Sequence, residues 1–305
     1  MLKTIAIATI ITASIEPANS QILPGSVPAK DCWNCEAWNK AHAPFQIFGN
    51  TYYVGTAGLS AVLITTPNGH ILLDGALPQS AALIDQSVRS LGFNTKDIKY
   101  IANSHAHYDH AGGIAALQKE TGAYVISSEA GTKSLAAGDT LNNDPFYVLG
   151  DTSNSFPPIK NLKAVKDQEE IRLGDLALKA HHTPGHTPGG VTWTWKSCAS
   201  GRCINMVYAD SLTPVSAEDY RFTEPHNGQS TADRLKKSIK HVASLPCDIM
   251  ISTHPEFSGI LNQYKTYSKT GDQGVFVDKN ACRNYASKML ARLKKRISLE
   301  TGEDG

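Results

Sequence analysis

Short apolar runs separated by turns fill the stretch from Phe45 to Asp74. Phe45-Gln46-Ile47-Phe48, Tyr52-Tyr53-Val54 and Ser60-Ala61-Val62-Leu63-Ile64 read as strands, Pro67-Asn68-Gly69 as a hairpin turn, and His70-Ile71-Leu72-Leu73-Asp74 as the returning strand. Ile84, Val88 and Leu91 then recur at helical spacing. Ile98 to Asn103 reads as a buried strand, Gly112 to Glu120 as a helix, and Ala123 to Ile126 as another strand before a second short helix. Residues 138–160 are polar and rich in Asn, Asp and Pro, which predicts a long loop. The second half repeats this order of elements. Ile171–Leu173 and Leu176–Leu178 alternate across a Gly-Asp turn, and Val191–Trp195, Asn205–Ala209 and Asp248–Ser252 read as strands. Leu235, Ile239 and Val242 mark one helix, and Cys282, Ala286, Met289 and Leu293 mark a C-terminal one. Two β-then-α halves predict an α/β fold with two sheets packed together and helices outside, a four-layer αββα sandwich.

One loop of this pattern carries the chemistry. His105-Ala106-His107-Tyr108-Asp109-His110 follows the strand at 98–103 directly and precedes Ala111-Gly112-Gly113. Neutral imidazole and carboxylate suit zinc, which takes about four N, O or S ligands. Four potential ligands this close exceed what one ion with an open position can use, so the reading is two metals, each completed from elsewhere. His186, in the turn-rich Thr183–Gly190 loop, and His254, just beyond the strand ending at Ser252, are presented at strand ends in the same way, and Asp210 follows a third strand. His181 and His182 lie inside a strand and read as packing residues or as partners of the ligands, and His42, His70, His226 and His241 as solvated or structural.

The chain has 305 residues and a net charge of +1, so nothing points to nucleic acid or anionic membrane as a partner. Lys3, the apolar run Ile5–Ile15 and the small-x-small site Ala18-Asn19-Ser20 read as a signal peptide over 1–20, cleaved to leave Gln21 first. Residues 21–44 then form an N-terminal extension and 45–305 a single domain. Six cysteines, none in the metal cluster, fit structural disulfides in an oxidising compartment, and pairing 32–35, 198–203 and 247–282 follows from proximity. A thioredoxin-like role for Cys32-x-x-Cys35 lacks the βαβ context it needs.

With these residues in view, the chain resembles the metallo-β-lactamase superfamily, whose signature is H-x-H-x-D-H. Within it the resemblance is to the third subclass of class B β-lactamases, through Leu72-Leu73-Asp74-Gly75, Thr183–Gly190, Trp193-Thr194-Trp195, Tyr208–Leu212 and Leu245-Pro246-Cys247-Asp248. The Cys247–Cys282 pair also matches a disulfide of that subclass. The resemblance implies His105, His107 and His186 on a first zinc and Asp109, His110 and His254 on a second, with Ser211 where another subclass has a metal-bound cysteine. It implies hydrolysis of the β-lactam amide by a dizinc-bound hydroxide, in a periplasmic, monomeric protein that confers antibiotic resistance. Asp109 would both ligate and orient the attacking water. Asp74 would fix imidazoles as a partner behind the ligands, and Ser211 and Thr213 would hydrogen-bond the substrate carboxylate. Asp210 would not bridge the metals. Glyoxalase II-like thioesterases and lactonases share the signature and remain the alternative, as does a non-catalytic exported zinc-binding protein.

Overall fold

The computed structural model describes residue 23 and residues 28–226 and 228–302. The signal segment 1–20 lies outside the described residues, as does the side chain of His226. After a single turn of helix, α1 (Cys35–Trp38), seven strands build the first sheet: β1 (Phe45–Phe48), β2 (Thr51–Tyr53), β3 (Val62–Thr66), β4 (Gly69–Leu73), β5 (Ile98–Ala102), β6 (Tyr124–Ser127) and β7 (Leu162–Ala164), in that spatial order. β1 to β4 run antiparallel and β4 to β7 parallel. The crossovers are α2 (Ala81–Ser90), then α3 (Tyr108–Ala111) with α4 (Ile114–Thr121), then α5 (Glu129–Ala137). The second sheet comprises β8 (Glu170–Leu173), β9 (Leu176–His182), β10 (Val191–Ala199) and β11 (Arg202–Ala209), joined after a small hairpin (β12, Pro225–His226; β13, Gln229–Ser230) and α6 (Thr231–Ser244) by β14 (Ile249–Ser252), which pairs parallel to β11. α7 (Pro255–Ser258), α8 (Ile260–Thr270) and α9 (Ala281–Thr301) complete the chain.

The period of two along the strands sorts side chains into layers. Val62, Ile64, Ile71, Leu73, Ala102 and Ile126 face inward and meet Leu178, Ala180, Trp193, Trp195, Met206, Tyr208, Ile249 and Ile251 of the second sheet in one buried cluster. The alternate residues Leu63, Leu72, Ile101 and Val125 face outward against Ile84 and Val88 of α2 and Ile114 and Leu117 of α4. On the far side Val207 and Met250 meet Leu235, Ile239 and Val242 of α6 and Met289 and Leu293 of α9. These are the four layers the pattern predicts. The helical stripe on α6 starts where the Ser230 hydroxyl accepts the Asp233 amide and stops at Leu245-Pro246.

The disulfides 32–35, 198–203 and 247–282 all form. Two local expectations change. The edge strand β7, at the end of the long polar loop, was not legible in the sequence. The helix expected from Gly112 is α4, from Ile114, and a separate helical turn, α3, precedes it, so Asp109 and His110 sit on that turn while His105 and His107 lie on the loop before it. Gly113 makes that tight exit possible, since a Cβ there would lie 2.2 Å from the Gly75 carbonyl oxygen.

Candidate metal centre

The loop after β5 is held from beneath by Asp74. This residue leaves β4 with φ of +59° and is fully buried. Its carboxylate accepts from the Ser104 amide at 2.7 Å, the Ser104 hydroxyl at 2.6 Å, the Asn103 side-chain amide at 3.1 Å and the Tyr208 hydroxyl at 2.9 Å. It comes no nearer than 3.9 Å to an imidazole nitrogen, Nδ1 of His110. The expectation that Asp74 orients imidazoles directly is therefore corrected. It fixes the backbone from which His105 departs, because four donors, two of them from Ser104, occupy its two oxygens.

The imidazoles have other partners. His105 Nδ1 lies 2.9 Å from Asp210 Oδ1, while its Nε2 is buried without a hydrogen-bond partner. His107 Nε2 lies 3.2 Å from Asp144 Oδ1, and His186 Nδ1 lies 3.0 Å from the Thr213 carbonyl oxygen. In each ring one nitrogen is engaged from behind, which frees the other as a lone-pair donor. Ligand atoms of His105, His107 and His186 gather within 4.8 Å of one another, as do those of His105, Asp109 and His110. Burial, reinforced by the neighbouring rings, holds His105 well below the ordinary imidazole range. Burial and His107 push His186 down to about 3. Both are thus neutral, the form that binds a cation.

Asp109, His110 and His254 meet in a nearly equilateral triangle. Asp109 Oδ2 is 3.2 Å from His110 Nε2 and 3.4 Å from His254 Nε2, and the two nitrogens are 3.3 Å apart. Burial alone would raise the Asp109 carboxyl, but His110 and His254 hold it well below the usual carboxylate range. Tetrahedral ligands at the bond lengths usual for zinc lie about 3.3–3.4 Å from each other, so these three atoms have the separations of ligands around one small cation. The orphaned His105 Nε2 and this triangle are what a metal site requires of its protein.

Asp210 faces away from the triangle: Oδ1 is taken by His105 and Oδ2 lies 3.3 Å from the Thr183 hydroxyl. Gly190 permits this, because a Cβ at that position would lie 2.2 Å from Asp210 Oδ2. Tyr285 of α9 locks the following turn, donating to the Asp210 carbonyl at 2.9 Å and accepting the Leu212 amide at 3.1 Å. Ser211 and Thr213 both line the cleft. The Ser211 hydroxyl sits 2.8 Å from that of Thr253, and the Thr213 hydroxyl 3.2 Å from His186 Nδ1. His181 stays outside the cluster, 2.8 Å from the Thr194 hydroxyl and 3.1 Å from His241, and His182 reaches the Val165 carbonyl at 3.1 Å.

Sequence reasoning missed Asp144, Phe146 and Trp38. Asp144 backs His107, the Phe146 ring packs 5.1 Å from it, and the Trp38 ring lies 5.3 Å from His254. The first two come from the loop at 138–160 and the third from the N-terminal extension, where no periodicity marked them. Phe146 and Trp38, with His107, Asp109, His186 and His254, line a cleft of about 780 Å³.

A family model of the Metallo-beta-lactamase superfamily matches residues 55–254. Among solved structures, the Rm3 metallo-beta-lactamase aligns with 42% identity and a TM-score of 0.85 over 89% of this chain and 99% of its own. MEM-A1, a subclass B3 metallo-beta-lactamase from a soil metagenome library, aligns with 44% identity and a TM-score of 0.83 over 88% of this chain and 100% of its own. SMB-1, solved with mercaptoacetic acid, aligns with 44% identity and a TM-score of 0.81 over 86% and 99%. Curated relatives match less. A hydroxyacylglutathione hydrolase of Anaeromyxobacter dehalogenans is 32% identical over 32% of this chain, and the N-acyl homoserine lactonase AttM of Rhizobium radiobacter 29% identical over 42%. The chain spans 29% of the length of the first and 55% of the second. The profile match, the shared fold and the strand-end cluster agree: the chain belongs to the metallo-β-lactamase superfamily, alongside the subclass B3 structures it resembles.

Proposed function

We propose that this protein is a periplasmic, monomeric zinc hydrolase that opens the amide bond of β-lactam antibiotics and so confers resistance to them. The observation that carries the reading is the Asp109–His110–His254 triangle beside the His105–His107–His186 cluster, at the floor of a cleft large enough for a bicyclic substrate. The two groups of three would each hold one zinc ion. Zinc, when bound, supplies Lewis acidity toward the lactam carbonyl and lowers the pKa of water from ~16 to roughly 7.

The chain's own residues do the rest. Asp109, kept ionised by His110 and His254, has a carboxylate oxygen able to orient the attacking water. Asp210, Asp144 and the Thr213 carbonyl hold three rings in one orientation and one tautomer, so the site is formed before substrate arrives. Ser211 and Thr213, at the cleft wall, are the hydroxyls that would hold the substrate carboxylate. The similarity to a hydroxyacylglutathione hydrolase and to lactonases favours a second reading, hydrolysis of thioesters or lactones. The position of Asp210 behind His105 supports the first, since a carboxylate with both oxygens engaged there does not face both metal positions.

Hydrolysis of a carbapenem, a thioester and an acyl homoserine lactone by purified, zinc-loaded protein tests this directly. Carbapenem turnover should dominate, vanish with chelator and return with zinc. Mercaptoacetic acid, found with SMB-1, should inhibit it. Turnover of the thioester or lactone alone would overturn the lactamase reading.

A further inference from the structure

The Cys32–Cys35 motif has no part in the metal centre, yet the loop it closes stands on the rim of the cleft. Lys30, Cys32, Trp33 and Trp38 all line that cleft. Cys35 is buried, whereas Trp33, inside the same disulfide-closed loop, is 85% exposed. An exposed indole offers a large apolar face, and apolar side chains grouped at one place mark an interaction site. Trp33 also has company. Val148 and Val215, two more of the large apolar side chains that are exposed among the described residues, line the same cleft from the loops at 138–160 and after β11. Three separate segments thus present apolar groups to one mouth.

The loop is held firmly. The Lys30 amide donates to Gln79 Oε1 at 3.1 Å and Gln79 Nε2 donates back to the Lys30 carbonyl at 2.9 Å. Lys30 Nζ donates to the Ser155 carbonyl at 2.9 Å and lies 4.7 Å above the Tyr108 ring. At the other end, the Thr56 hydroxyl donates to the Trp38 carbonyl at 2.6 Å. The Trp33 ring stands edge-on to Trp38 at 5.4 Å, and Trp38 in turn lies 5.3 Å from the His254 ring. Trp33 is therefore one ring removed from a ring of the metal cluster, with its outer face open.

We propose that Trp33, presented by the Cys32–Cys35 loop, is a specificity-determining residue that packs against an aryl group on the acylamino side chain of the substrate. The inference rests on the β-lactam reading above. In a penicillin the acylamino group is the part that projects from the bicyclic core next to the reacting carbonyl. A core bound at the metal centre carries that group toward the apolar mouth. A ring held in place by a short disulfide loop loses little freedom when it packs against a ligand.

The test compares benzylpenicillin with 6-aminopenicillanic acid, which has the same core and no aryl side chain, in wild type, Trp33→Ala and Trp33→Phe. For Trp33→Ala, kcat/KM on benzylpenicillin should fall about 3- to 10-fold, mainly through KM, the size expected for one lost ring–ring contact. On 6-aminopenicillanic acid it should stay within about twofold, and Trp33→Phe should recover most of the loss. Unchanged kinetics on benzylpenicillin, or an equal loss on both substrates, would overturn the proposal while leaving the lactamase reading standing. A wild-type protein inert toward both penicillins and toward the carbapenem would overturn both.

Discussion

Asp210→Asn discriminates between a carboxylate that orients one metal ligand and one that bridges two metals. Asp210 is fully buried and its Oδ1 accepts from His105 at 2.9 Å. Asparagine keeps the shape and one carbonyl acceptor but removes the charge behind the ring. Partners of this kind typically contribute ~10–100-fold in metal affinity, or about 1.4–2.7 kcal/mol. The loss should fall on the site containing His105, His107 and His186. The other triangle shares no hydrogen bond with Asp210, so its ion should be retained. Zinc titration of the apoprotein against a competing chelator, with metal analysis after dialysis, reads both sites. One site weakened about 10–100-fold with the other unchanged is the expected result. Loss of both ions together would mean that Asp210 bridges them, and no change in either would mean that His105 is oriented without it.

Two further outcomes concern stability. The Cys247–Cys282 bond joins residues 35 positions apart, and replacing both cysteines with serine should cost up to about 4 kcal/mol in the chain-entropy model, read from denaturant midpoints. Glu300 receives the Phe222 and Thr223 amides at 3.0 and 2.9 Å, the Thr223 hydroxyl at 2.9 Å, and the Arg296 guanidinium. Burial alone would raise its pKa, but the Arg296 hydrogen bond and these donors hold it below the ordinary glutamate value. A lowered carboxyl stabilises the fold above its unfolded pKa and loses that contribution as pH falls through the folded one. Glu300→Gln should therefore cost about 1.5 kcal/mol at pH 7, and its denaturation midpoint should converge with wild type once the pH is below both values. An equal gap at both pH values would remove the charge from the explanation.

Most of the strands and the His/Asp cluster of candidate ligands were legible in the sequence because both are short-range. Apolar runs such as Val62–Ile64 and Ile71–Leu73 read as buried strands whatever the partner strand. The spacing of His105, His107, Asp109 and His110 is fixed by the backbone of one turn. His186 and His254 could be picked because each follows an apolar run that ends at a turn.

What supports these candidate ligands was decided only by tertiary structure. His105 and Asp210 are 105 residues apart, and His107 and Asp144 are 37 apart. The register of β10, β11 and β14 sets the first contact and the path of an irregular loop the second. The family resemblance points to Asp74 as a partner of the imidazoles, but only the geometry sends it to Ser104 instead. Residues 28–38 carry no periodic pattern, and their return to the cleft depends on partners such as Gln79 and Ser155, remote in sequence. Local pattern fixes which way a side chain faces along its own element. Which distant residue it meets depends on how the sheets and loops pack, and that is written in no single stretch of the chain.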